Sequence, residues 1–174
     1  MALIVVETTH AQPLTPEIIE AADERVFPCL KAREADWRYS LISTDWRRTI
    51  CTFDAPDTEA VRSSYRMANI RFDRMWPAEI RVPEFTQPSW KEPILKVVES
   101  TYPSLTDEDW DKTNGQILPY YAEHGIEWVC SYVSRDRTRL VWELNASDAD
   151  VIQAAHRKFG IPCDRVWSAN VLKP

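Results

Sequence analysis

An internal duplication constrains this chain more than any other feature of its sequence. The segment Leu14–Ile80 aligns on Leu105–Val171 at a constant offset of 91, with 17 identities in 67 positions and no gap. The run Val5-Val6-Glu7-Thr8-Thr9 also returns as Val97-Val98-Glu99-Ser100-Thr101. Because a sequence repeat marks a repeated structural unit, the two halves of the chain are expected to share one fold.

The duplication divides the chain of 174 residues into two domains and a connection. We predict a first repeat over 1–81 and a second repeat over 94–174, each of a size that can form its own core. The segment between them, 82–93, holds three of the twelve prolines of the chain. This composition favours an extended, semi-rigid linker.

Each repeat shows the order strand, helix, strand, strand, helix, strand. Thr15 before a proline is typical of a helix start, because its hydroxyl can cap free amide groups and proline tolerates the first turn. Pro28 and Pro119 lie late in the first helix of each repeat and should kink or end it. The second helix should end at Asn69 or at Gly160, which are residue types that tolerate left-handed backbone.

This element order is that of the ferredoxin-like βαββαβ unit, whose antiparallel sheet carries helices on one face only. The other face must be covered, and a second unit of the same kind can cover it. We therefore predict an α+β protein in which two ferredoxin-like βαββαβ units pack sheet-to-sheet as a pseudo-twofold α/β-barrel. The protein is then either a monomer, as an intramolecular pseudo-dimer, or a homodimer.

Composition excludes several kinds of function. The chain has 27 acidic against 21 basic residues, a net charge of −6 and no basic block, which argues against a nucleic-acid partner. Its three glycines provide no glycine-rich phosphate loop, and no apolar run approaches the roughly 20 residues of a membrane helix. The four cysteines form no CxxC motif, and the start of the chain lacks the pattern of a secretion signal. We expect a cytoplasmic protein with a small-molecule ligand and no membrane partner.

Three motifs of the second repeat, Trp128–Ser134, Glu143–Ser147 and Phe159–Val166, resemble those of a known family, and the first repeat carries the same pattern. On these motifs the chain resembles the nickel-binding-protein-like family of domains of unknown function, which is related to the α/β-barrel-dimer superfamily. The resemblance implies a ferredoxin-like fold and domains that pair as dimers. It also implies nickel binding, which is a property of at least some members.

The resemblance further indicates where a metal would be held. Glu7 and Glu99 match the glutamate of the family's first strand, while Tyr39 and Cys130 stand where the family commonly carries a histidine. A cysteine similar to the family's stands at position 51. Neither repeat keeps the full set of glutamate, histidine and cysteine. The metal-binding hypothesis, for nickel or a similar ion, therefore uses Glu7, Cys51, Glu99 and Cys130.

A second hypothesis is acid–base catalysis by the two glutamates. Strand alternation places Glu7 and Glu99 on sheet faces that are expected to line a shared cavity. A carboxylate in a partly apolar cavity can act as a general acid or base. With Tyr39 as a polar helper, this favours a cofactor-independent isomerase, cyclase or lyase. The alternative is that each glutamate only pairs with Arg48 or with Arg139.

Aromatic and cysteine side chains complete the predicted site. Two strand positions apart, Trp37 and Tyr39 are expected on one sheet face, as are Trp128 and Cys130. Trp142, which has no tryptophan partner in the first repeat, is the tryptophan in which we most expect a specialised function. The predicted ligand-binding residues are Trp37, Trp128, Trp142, Cys130 and Cys51, with core packing as the alternative for each.

A third hypothesis is a non-catalytic structural or regulatory module, whose interior would be filled by side chains. The three histidines, His10, His124 and His156, share no metal-ligand spacing. We expect each of them to be structural or solvated.

Overall fold

A computed structural model describes residues 1–83, 90–91 and 94–174. The chain forms two compact units, one of Met1–Ala78 with Asn170–Pro174 and one of Glu79–Ala169. Most of the predicted linker 82–93 lies outside the described residues. Within the described part of the chain, no helix combines the length and the apolar character needed to cross a lipid bilayer.

The first repeat has the predicted element order. Its elements are β1 (Ala2–Thr9), α1 (Pro16–Lys31), β2 (Asp36–Ser43), β3 (Arg48–Ala55), α2 (Thr58–Met67) and β4 (Arg74–Arg81). Strand β1 pairs antiparallel with β3 and with β4, and β2 pairs antiparallel with β3. The resulting strand order, β4-β1-β3-β2, is that of a ferredoxin-like sheet.

The second repeat has the same architecture. Its elements are β5 (Ile94–Thr101), α3 (Asp107–Glu123), β6 (Glu127–Ser134), β7 (Arg139–Asn145), α4 (Ala149–Phe159) and β8 (Arg165–Leu172). Strand β7 pairs antiparallel with β5 and with β6, and β8 is the other neighbour of β5. The α+β class and the ferredoxin-like unit in both repeats are confirmed.

Helix ends follow local sequence chemistry. The Thr15 hydroxyl accepts a hydrogen bond from the Ile18 amide at 3.3 Å, and Thr106 forms a reciprocal capping box with Asp109 at 3.0 Å. These bonds satisfy amide groups that the first helical turn leaves free. Past the second helices, Asn69 and Gly160 have φ angles of 54° and 64°, which confirms the predicted left-handed ends.

The two late prolines do not end their helices where they stand. Helix α1 runs past Pro28 to Lys31, and α3 runs past Pro119 to Glu123. A proline near the C-terminal end of a helix removes only one of the last amide donors. Each helix therefore completes about one more turn before it ends.

Each sheet has one face under its helices and one opposite face. In β1, Ile4 and Val6 pack in a core cluster with Val26 and Leu30 of α1. Because side chains alternate along a strand, Glu7 lies on the opposite face. In the second repeat Val98 belongs to the cluster under the helices, so Glu99 likewise lies on the opposite face.

A β-bulge corrects the prediction that Trp37 and Tyr39 share a sheet face. The pairing of β2 with β3 shifts between these residues, so that Trp37 lies opposite Phe53 and Tyr39 lies opposite Thr52. Phe53 belongs to the core cluster under the helices, and Thr52, the next residue, points the other way. A bulge adds one residue to one strand and reverses the alternation beyond it. The same shift separates Trp128 from Cys130 in β6.

Candidate functional site

A cavity of about 130 Å³ lies between the helices and the sheet of the first repeat. Its size is close to that of an engineered apolar protein cavity of about 150 Å³ that binds benzene. Most of its wall is aromatic or aliphatic and is formed by Val26, Phe27, Trp37, Phe53 and Ile70, with Leu172 from the end of β8, which belongs to the same compact unit. A wall of this composition suits a compact organic group.

A small polar group of side chains interrupts this apolar wall. The Trp37 indole N–H donates to the Ser40 hydroxyl at 3.0 Å. Burial raises the pKa of the Cys51 thiol, and this effect exceeds the opposing hydrogen bonds from Ser40 and Tyr65. Burial also raises the pKa of the Tyr65 hydroxyl well above its ordinary value. At neutral pH the thiol and the phenol therefore stay protonated and act as uncharged hydrogen-bonding groups.

Asp23 and His10 lie elsewhere on the cavity wall, and the pKa of each is shifted by burial. Asp23 of α1 contributes a carboxylate whose pKa is raised by burial, and within the described residues no hydrogen bond offsets this effect. His10 follows β1, and its Nε2 lies 3.1 Å from the Thr49 hydroxyl. Burial lowers the pKa of the His10 imidazole, against an opposing attraction to Asp73. The cavity thus places an unpaired carboxylate on a wall where the Arg71 guanidinium is already paired with Asp73, at 3.0 Å.

In the second repeat, tryptophan rings occupy the corresponding positions. At the repeat offset of 91, Trp142 stands for Cys51 and Trp110 stands for Ile19. The Trp142 ring stacks on Trp128 with a centroid distance of 4.4 Å, and Trp110 meets Trp128 edge-on at 5.3 Å. Trp142 is fully buried. The difference in side-chain size between the repeats therefore creates the cavity of the first.

The same substitution pattern buries a histidine in the second repeat. His156, which stands for Tyr65, contacts Trp142 with a ring centroid distance of 4.9 Å. Its Nδ1 lies 3.3 Å from the Pro162 carbonyl and donates to it, so Nε2 accepts from the Tyr121 hydroxyl at 2.8 Å. Burial lowers the pKa of His156 to about 4. This histidine is therefore a neutral structural residue at neutral pH.

We expect His156 to make the protein sensitive to acid. An unfolded histidine titrates near pH 6.5, so the unfolded state gains the proton first, and stability falls as the pH drops from about 6.5 to about 4. At 1.36 kcal/mol per pKa unit, the full loss is about 3 kcal/mol. Urea unfolding of wild type and His156→Gln at pH 7 and pH 4.5 measures it.

The comparison between these two proteins isolates the histidine, because acidification affects the carboxylates of both equally. His156→Gln should lose clearly less stability between the two pH values than wild type does. Equal losses in the two proteins would contradict the buried neutral state of His156.

The predicted acid–base residue Glu7 lies on the sheet face opposite the cavity. One of its oxygens accepts from Arg48 Nη2 at 2.5 Å, and the other accepts from the Trp76 indole at 2.8 Å. Glu7 is buried, and Tyr39 is buried on the same face. Both oxygens of the carboxylate thus have a donor, and one of these donors is a positive charge.

Glu99 has the same surroundings in the second repeat. It accepts from Arg139 Nη2 at 2.5 Å and from the Trp167 indole at 2.9 Å, and Arg165 Nε lies 3.4 Å from it. In both repeats the glutamate pairs with the arginine that the structural alternative named. The same set of contacts occurs in both repeats, and in each it joins three strands of one sheet.

The predicted metal ligands are placed differently in the two repeats. In the first, Cys51 faces the helices and lines the cavity, whereas Glu7 lies on the opposite face. In the second, the Cys130 thiol lies 3.4 Å from Glu143, a carboxylate that the sequence did not single out because its counterpart is a threonine. Among the described residues, no group of three or more His, Cys, Asp or Glu side chains is arranged to hold a metal ion.

The cavity contains two of the predicted ligand-binding residues, Trp37 and Cys51. Trp128 and Trp142 lie instead in the packed core of the second repeat. Sequence reasoning missed Asp23 and Tyr65 of the cavity wall. The available signal was their divergence across the duplication, to an asparagine and to a histidine.

Comparison with known proteins identifies the repeated unit. A family model described as "Nickel responsive protein SCO4226-like" matches residues 4–77 and 97–168. The structure of SCO4226 from Streptomyces coelicolor A3(2) is similar at 15% identity and a TM-score of 0.39, over 42% of this chain and 91% of that chain. A structure named "Putative Chlorite dismutase TA0507" is similar at 10% identity and a TM-score of 0.50, over 99% and 94%, which bears on the fold alone. No match was found among curated proteins.

Proposed function

The chain belongs to the SCO4226-like family of nickel-responsive proteins, as its motifs indicated, and we propose that it binds a compact, mainly apolar organic molecule in the first-repeat cavity. The observation that carries the proposal is the cavity itself, which has Ile19 and Cys51 where the second repeat has tryptophans. A space retained in one repeat and filled in the other supports a use in binding.

The polar groups of the cavity support binding rather than proton transfer. Ser40, Cys51 and Tyr65 offer uncharged donors and acceptors that can orient a ligand. Glu7 and Glu99, the predicted acid–base residues, each accept hydrogen bonds from an arginine and a tryptophan on the opposite sheet faces. We therefore propose a binding protein in which these glutamates are structural.

Nickel is implied by the description of the family, and the pair predicted to hold it in the first repeat, Glu7 and Cys51, does not fit that role. A cysteine binds metal as the thiolate, whereas burial raises the pKa of Cys51. Glu7 lies on the other side of the sheet from Cys51. The proposed binding of an organic molecule depends on no metal ion.

Filling the cavity should abolish ligand binding. Ile19→Trp with Cys51→Trp introduces the residues that the second repeat carries at these positions. We expect indole and toluene to stabilise the wild type, by about 2.7 kcal/mol when the ligand concentration is 100 times Kd, and so to raise its melting temperature. The melting temperature of the double variant should not change. Thermal denaturation and calorimetric titration measure both effects.

Two further variants keep the result interpretable. Ile152→Val removes one methylene group from the core of the second repeat and should bind like wild type, which controls for general destabilisation. Ile19→Phe fills part of the cavity with less risk of misfolding and should weaken binding. Absence of binding to wild type, or full binding to a folded double variant, would overturn the proposal. Nickel chloride that stabilises wild type more than either organic probe would also count against it.

A further inference from the structure

An acidic groove on the surface of the first repeat adjoins the cavity. Three carboxylates of α1, Glu20, Asp23 and Glu24, line this groove. The groove and the cavity share four wall residues, which are Ile19, Asp23, Phe27 and Leu172. Among the described residues that line the groove, none is a lysine, an arginine or a histidine. A molecule in the cavity therefore meets negative charge on one side.

Asp23 lines both the cavity and the groove. Among the described residues, neither basic residue of the cavity wall forms an ion pair with its carboxylate. Arg71 lines the cavity as well, but its guanidinium forms an ion pair with Asp73 at 3.0 Å. His10 is the other basic wall residue, and burial lowers the pKa of its imidazole. A partly buried carboxylate without a partner is costly, and a bound cation would lower that cost.

The second repeat supplies an internal comparison. Its residue at the position of Asp23 is Asn114, whose amide donates to the Trp110 carbonyl at 2.9 Å. The position of Glu24 is taken by Gly115. The second repeat, in which tryptophans fill the corresponding space, thus has a neutral amide and a glycine at these positions. The first repeat, which has the cavity, has two carboxylates there.

Aromatic rings share the cavity wall with the Asp23 carboxylate. Phe27 lines both the cavity and the groove, and its ring centroid lies 5.5 Å from that of Trp37. Aromatic faces attract ammonium groups. The place where the cavity meets the groove therefore combines apolar contact, π-electron density and an unpaired negative charge.

We propose that the ligand is an organic cation, a compact apolar group that carries a protonated amine. This inference rests on the proposed binding function and specifies its ligand class. The apolar group occupies the cavity beside Trp37 and Cys51. The ammonium pairs with the Asp23 carboxylate and faces the acidic groove.

Three probes of one shape test the inference on the full chain at pH 7. Benzylamine is cationic, benzyl alcohol is neutral and benzoate is anionic. A hydrogen bond to a charged group contributes enough to give benzylamine about tenfold or greater preference over benzyl alcohol. Asp23→Asn should bring the two affinities to within about twofold, with the affinity for benzyl alcohol unchanged. Calorimetric titration measures the affinity of each probe for the wild type and for Asp23→Asn.

Matched variants assign the effect to one carboxylate. Asn114→Asp adds an acid at the equivalent position of the second repeat and should leave all three affinities unchanged. Glu24→Gln should reduce the preference for benzylamine by less than Asp23→Asn does. A preference for benzylamine that survives in Asp23→Asn would overturn the assignment of Asp23.

The remaining outcomes separate this inference from the function on which it rests. Equal binding of benzylamine and benzyl alcohol to wild type would overturn the cationic ligand and leave the binding function standing. Tighter binding of benzoate would overturn it as well, and would point to Arg71. Failure of all three probes and of indole to bind wild type would overturn both proposals.

Discussion

Trp142→Cys is expected to destabilise the protein by about 3–5 kcal/mol, the usual loss when a buried aromatic side chain is truncated. The variant gives the second repeat the residue of the first, because Cys51 stands at the equivalent position. Trp142 is fully buried and stacks on Trp128 at 4.4 Å. Its indole also donates to the Ser100 hydroxyl at 3.2 Å. The substitution therefore removes packing and a buried hydrogen bond together.

The variant also tests whether the Trp142 side chain alone keeps the second repeat from having the cavity that the first repeat has. Indole should stabilise Trp142→Cys more than it stabilises wild type, because it can fill the new space as benzene fills an engineered cavity. Urea unfolding with and without indole measures both effects. Cys51→Ala is the matched control, and we expect it to cost less than about 1 kcal/mol. If Trp142→Cys lost as little stability as Cys51→Ala, the result would contradict the packing of Trp142 on Trp128 in the core.

Local rules and the duplication were enough to predict most of the fold. The hydroxyl of Thr15 and the left-handed residues Asn69 and Gly160 determine helix ends through contacts with near neighbours in sequence. Because the sequence is duplicated, each helix and strand could be assigned in both repeats, and a weak pattern in one repeat was supported by its counterpart in the other. The order of elements then identified the ferredoxin-like unit.

The faces of the strands were harder to predict. Counting by two from Trp37 places Tyr39 on the same face, and the bulge between them reverses that result. This bulge arises from the pairing of β2 with β3, a separate strand, so the sequence of β2 alone does not predict it. For this reason Tyr39 and Cys51, which were both named for the predicted site, lie on opposite faces of the sheet.

The site depends on differences in volume that a single repeat does not show. The substitution of tryptophan for cysteine between Cys51 and Trp142 was visible in the alignment, and the larger residue was expected to carry the function. In the structure Trp142 fills a core, and the smaller residue leaves a cavity. Which of two aligned residues marks a site depends on the space around it, and only packing determines that space.

Arg139→Met is the second change with a large expected effect, a loss of about 3–5 kcal/mol in the free energy of unfolding. Arg139 Nη2 lies 2.5 Å from Glu99, whose side chain is fully buried, and Arg139 Nη1 lies 3.1 Å from Asp164. Removing the guanidinium takes the nearest positive charge from a buried carboxylate, near which the Trp167 indole and the half-exposed Arg165 remain. Urea unfolding at pH 7 measures the loss.

A double-mutant cycle shows whether the charge itself is responsible. Glu99→Gln with Arg139→Met removes both charges and should be at least about 1 kcal/mol more stable than Arg139→Met alone, since residues in direct contact couple by roughly 0.5–3 kcal/mol. Arg48→Met should reproduce the loss in the first repeat, where Arg48 pairs with Glu7 in the same way. Additive effects would contradict a structural ion pair. If Glu7→Gln and Glu99→Gln then bind indole as wild type does, these glutamates act through the sheets and not through the ligand.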